Sequence, residues 1–134
     1  MVLVDGEDAL IGRQVFALLN AFYQREKPAL VYTQLLFVYS DHIGNSRNQP
    51  INTTIFETTG AWRKQYSFCT SHLKTFYVDL FRMIKKEDLQ FEKDEWIPHS
   101  PDVAYMTPML EMAGNRVKFL TEITYEYRHD TNAN

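Results

Sequence analysis

Only one cysteine, Cys69, stands among the 134 residues, so an internal disulfide and a cysteine-rich zinc site are both excluded. Glycine is scarce, with five in all, and nowhere do they gather into a phosphate-cradling loop. An excess of positive charge is also missing. Fourteen Lys and Arg face 17 Asp and Glu, giving a net charge of −3 and a pI near 5.8. The chain therefore has no general attraction to nucleic acid or to an anionic membrane, and no nucleic-acid partner is expected. No apolar run approaches the roughly 18–20 residues that cross a bilayer. The opening Met-Val-Leu-Val is too short for a signal peptide before Asp5. A soluble, cytoplasmic protein is the expectation.

What is present is ordinary for a globular chain: 45% hydrophobic and 23% charged residues, which argues against disorder. Aromatic residues reach 14%, pointing to a ring-rich core or a stacking surface. At about 150 residues per domain, residues 1–134 form one domain.

Along the chain, Met1–Val4 is apolar and β-branched and reads as a buried strand. The Asp5-Gly6-Glu7-Asp8 stretch follows, with Asp8 placed to cap a helix carrying Leu10, Ile11, Val15, Leu18, Leu19, Phe22 and Tyr23. Gly12 weakens that helix, and Lys27-Pro28 ends it. Ala29–Tyr39 reads as a central strand, and Ser40–Asn52 as a loop. Thr53–Gln65 is ambiguous. Ser71–Ile84 has the spacing of a helix capped by Ser71, with Leu73, Phe76, Tyr77, Leu80, Phe81 and Ile84 on one face. Lys85–His99 reads as a charged loop. Ser100 and Pro101 then open a helix that stops at Gly114, with a kink expected at Pro108. Arg116–Arg128 closes as a strand. This order of strands and helices predicts an α/β fold with a mixed sheet flanked by helices.

Few residues offer chemistry. Asp5, Glu7 and Asp8 put three carboxylates at the carboxyl end of a strand, the edge where α/β sheets bind ligands. Such a set suits magnesium or manganese bridged to a substrate phosphate. The same residues also suit a helix start, with Asp8 as cap and the others complementing the dipole. Asp102, in a first helical turn, reads either as a dipole partner or as a general base. His72, His99 and His129 are scattered without zinc spacing. Cys69 reads as a small buried hydrophobe.

Three stretches together resemble the inverting family 2 glycosyltransferases. VLVDGEDALIG is similar to their DxD segment, FCTSHLKTFYVDLF to a later SHxRTF segment, and PDVAYMTPMLEMAG with RVKFLTEITYEYRH to their closing helix and strand. The resemblance runs in order from Val2 to about His129. It implies a partial A-type glycosyltransferase fold comprising the C-terminal, metal- and acceptor-side half. The nucleotide-binding half that precedes the DxD strand in these enzymes has no counterpart here, so no transfer by this chain alone is expected.

The implied function is transfer of a sugar from a nucleotide-sugar donor to the hydroxyl of a glycan or other acceptor, with inversion. Asp5 and Glu7 would hold the divalent metal, manganese or magnesium, together with the donor diphosphate. Asp102 would be the catalytic base. His72 and Lys74 would border the acceptor, and His129 would approach the diphosphate. Glu7 stands where the family has Asp. A different reading is a non-catalytic module derived from the fold that binds a partner or itself. Homo-oligomerisation through the Met1–Val4 edge is expected on either reading, because an uncovered sheet edge invites pairing.

Overall fold

The computed structural model describes residues 1–39, 43–45, 48–58, 63 and 69–129, the side chains of Asn45 and His129 excepted. Its centre is β3 (Leu30–Tyr39), ten residues rich in β-branched and aromatic side chains. On one side β3 pairs in parallel with β8 (Val117–His129), and on the other it pairs antiparallel with β5 (Lys74–Phe76). β1 (Val2–Leu3) adds to the outer side of β5, and β2 (Ala9–Leu10) to the outer side of β8, both antiparallel. The order is β1-β5-β3-β8-β2, with β4 (Ile43–Asn45) also pairing with β3. The sheet is mixed, as the sequence predicts.

Both faces of the sheet are covered, and period-two alternation along β3 sorts its side chains between them. Leu30 and Tyr32 pack with Phe76, Leu80, Met106, Met109 and Leu110, beneath α2 (Val78–Arg82) and α3 (Pro101–Ala113). Val31 and Leu35 pack on the opposite face with Val15 and Leu19 of α1 (Val15–Glu26). A small hairpin, β6 (Gln90–Glu92) and β7 (Glu95–Trp96), stands apart from the main sheet. It occupies the stretch expected to be a charged loop. No helix among the described residues is long and apolar enough to cross a membrane.

Three expectations are corrected. The first helix begins at Val15, not after Asp8, because Ala9–Leu10 is a strand paired with β8 and Gly12 turns the chain at φ +88°. Only glycine adopts that conformation readily. Within Met1–Val4 only Val2–Leu3 is a strand, half-buried at the edge of the sheet, and Met1 and Val4 are exposed. The stretch Ser71–Ile84 is not one helix. Lys74–Phe76 is a strand bonded on both sides, and only Val78–Arg82 is helical. Long-range pairing with β1 and β3 overrides the local periodicity there.

The helix from Pro101 to the Gly114 boundary is as expected, and it runs on through Pro108. Ser100 precedes it without a side-chain capping bond. Of the ambiguous stretch Thr53–Gln65, Thr53–Glu57 forms a 3-10 turn and much of the rest lies outside the described residues.

Candidate functional site

The residues Val4–Asp8 join the two edge strands of the curled sheet. Asp5–Asp8 is a turn, closed by the Asp8 N–H donating to the Asp5 carbonyl at 3.2 Å. In a strand, residues i and i+2, here Asp5 and Glu7, would share a face. A turn instead brings i and i+3 together. Asp5 and Asp8 accordingly converge, and His72 joins them, with one ligand atom from each lying within 4.8 Å of the others. Glu7 sits at the exposed corner, outside this cluster.

His72 comes from the segment just before β5 and is 7% exposed. Its Nε2 lies 3.2 Å from Oδ2 of Asp5, and its Nδ1 lies 3.4 Å from the Ser71 hydroxyl. The imidazole is stacked on Tyr125 and, at longer range, on Tyr127. Burial, and then the Lys74 ammonium, push its pKa below the usual 6.5; the carboxylates of Asp5, Asp8 and Asp102 pull the other way. The neutral ring is the form that ligates a metal.

Asp8 is held at both oxygens. Tyr125 donates its hydroxyl to Oδ2 at 2.6 Å, and the Arg128 backbone N–H donates to Oδ1 at 2.8 Å. The carboxylate read as a possible helix cap therefore ties the turn to β8. Asp5 is the more open of the two, and its carboxylate faces the His72 imidazole.

Alternation along β5 sends Lys74 toward α3 and Thr75 toward α1, where Thr75 meets the Tyr23 hydroxyl at 3.0 Å. Lys74 is completely buried, yet its ammonium reaches Oδ2 of Asp102 at 3.1 Å and lies 5.6 Å from the centre of the Tyr105 ring. Burial lowers its pKa, opposed by Asp102 and Asp5. Asp102 stands in the first turn of α3, about a third exposed, and its Oδ1 has no hydrogen-bond donor among the described residues.

The two halves of the site feel one another. Asp5 acts on Lys74, Asp102 acts on His72, and the Tyr127 hydroxyl is raised by burial and then by Asp8, Asp5, Glu7 and Asp102. Asp5, His72, Lys74 and Asp102, all singled out in the sequence, thus occupy one region. His129 ends β8, and its side chain lies outside the described part. His99 is exposed and apart from the cluster, and Cys69 is half-buried, with its thiol pushed up by that burial.

Tyr125 and Tyr127 are the residues that sequence reasoning passes over, although both lie in the quoted TYEYRH stretch. Their alternation with Thr124 and Glu126 marks the face of β8 that meets the cluster, but the partners come from far along the chain. No protein-family model, no curated protein and no solved structure matches this chain.

Proposed function

We propose that this chain is the metal- and acceptor-side half of a partial A-type glycosyltransferase fold, acting in inverting transfer of a sugar from a nucleotide-sugar donor to a hydroxyl acceptor. One observation supports this reading above the others: Asp5 and Asp102, to which the resemblance gives the metal and base roles, lie in one electrostatic neighbourhood with His72 and Lys74.

Two carboxylates and an imidazole suit manganese or a similar divalent cation, with Asp5, His72 and Asp8 as the residues to hold it. Such an ion, when bound, offsets charge on the departing diphosphate. Asp102 has one oxygen held by Lys74 and the other open, so the open oxygen can accept the acceptor's proton. The acceptor oxygen then bonds to the sugar's anomeric carbon as the bond to the diphosphate breaks.

The test is calorimetric titration with UDP and GDP, each with manganese and with chelator. Binding that requires both manganese and the diphosphate supports the reading. Absence of binding, or binding indifferent to chelator, removes it.

The second reading, self-association, is favoured by a groove of about 380 Å³ beside β1 and α1, lined by Met1, Phe16, Tyr23 and Tyr77. Phe16 and Tyr77 are 59% and 58% exposed. Light scattering at high concentration showing a dimer supports it, and a clean monomer removes it.

A further inference from the structure

Asp5 and Asp8 come from one turn and His72 from a distant segment, yet a single side chain touches all three. Tyr125 is fully buried at the middle of β8. Its hydroxyl donates to Oδ2 of Asp8 at 2.6 Å and accepts the Asp5 backbone N–H at 3.1 Å. Its ring lies against the His72 imidazole, with centroids 4.9 Å apart and planes 15° from parallel. We propose that Tyr125 is the positioning residue of a divalent-cation site formed by Asp5, Asp8 and His72, setting all three before the ion arrives. This inference rests on reading the cluster as a cation site.

Carboxylates that converge without an ion repel one another, and donors must hold them in place. Asp8 is held by the Tyr125 hydroxyl on one oxygen and by the Arg128 N–H on the other. Asp5 is treated differently. The phenol grips its backbone, so its carboxylate stays available and 53% exposed. His72 is fixed by the flat of the Tyr125 ring, which orients the imidazole plane so that Nε2 faces Asp5. At 3.2 Å the Nε2–H of a neutral ring donates to the Asp5 carboxylate, and a cation bound there would take the place of that proton. Outer groups that orient ligands in this way are worth about 10–100-fold in metal affinity.

A purely structural tie between the turn and β8 predicts something else. Loss of the hydroxyl then lowers stability and leaves the affinity of the folded molecules unchanged.

The experiment is a manganese titration of the wild-type chain and of Tyr125→Phe, following free manganese by electron paramagnetic resonance, with folding verified by circular dichroism. Phenylalanine keeps the ring against His72 and removes only the hydroxyl. The expected result is manganese binding weakened about 10–100-fold in the folded variant. Equal affinity overturns the positioning role while leaving the cation site standing. A wild-type chain that binds no manganese overturns the cation site and the positioning role together.

Should Tyr125→Phe not fold, the wild-type chain still decides. Under titration with magnesium, the Tyr125 and His72 ring resonances should shift together and saturate at one concentration. A shift of His72 with Tyr125 unmoved overturns the proposal, as does the absence of any shift in either ring.

Discussion

The Lys74 ammonium, completely buried, lies 3.1 Å from Oδ2 of Asp102, which stands at the start of α3. A buried ammonium is costly unless paired, and replacing both members of such a pair by apolar groups is often neutral or stabilising. This pair contributes little net stability and much to where Asp102 points. It ties the first turn of α3 to the start of β5 through one of the two carboxylate oxygens.

Stability measurements test that division. Asp102→Leu removes the carboxylate that faces the ammonium and should cost about 2–4 kcal/mol by denaturant unfolding, somewhat below a fully buried pair because Asp102 is partly exposed. Adding Lys74→Met should return the double variant to within about 1 kcal/mol of wild type. A double variant as unstable as Asp102→Leu contradicts the account.

The same geometry makes a kinetic prediction. In any form of the protein that transfers sugar, Asp102→Asn should lower kcat by about 10²–10⁴-fold, the usual worth of a general base. KM for the donor should change little, since Asp5 and His72 are untouched. Unchanged kcat returns Asp102 to a structural role.

Alkaline pH tests the α1 face. The Tyr23 hydroxyl is pushed up to about 12, first by burial, with its hydrogen bond to Thr75 opposing. The folded value exceeds the ordinary 10, so the folded state favours the neutral phenol. That contribution is complete below pH 10 and is lost as pH rises from 10 toward 12. Tyr23→Phe should therefore flatten the fall in stability across this window. A slope identical to wild type argues against the buried phenol. Tyr105, also raised to about 12, keeps its own share of the slope.

Gly114, just past α3, holds φ at +54°, with nothing within 4 Å of where a Cβ would stand. Gly114→Ala should cost about 1 kcal/mol through backbone strain alone. A neutral substitution shows that the chain relaxes to another turn.

Much of this was legible in the residues themselves. The length of β3, the helix between Pro101 and Gly114, and the closing strand follow from β-branched runs and terminus chemistry. The stretch around Lys74 reads as helix because Leu73, Phe76 and Leu80, buried in two different clusters, mimic a helical spacing. No local signal reveals that β1 and β3 bracket Lys74–Phe76. Asp5, His72, Lys74 and Asp102 were identifiable one by one. Their grouping, the convergence of Asp8 with Asp5 and the contacts of Tyr125 depend on a turn and on approaches between distant segments. Spacing along the chain carries neither.

If Asp5 anchors a divalent-cation site, melting temperature in manganese is the most direct test, because an ion bound only to the native state stabilises it by mass action. The account predicts that millimolar manganese raises the melting temperature of the wild-type chain and of Lys74→Met. Asp5→Asn should melt at the same temperature with and without the metal. A wild-type chain whose melting is indifferent to manganese, or an Asp5→Asn variant that shifts as far as wild type, contradicts it.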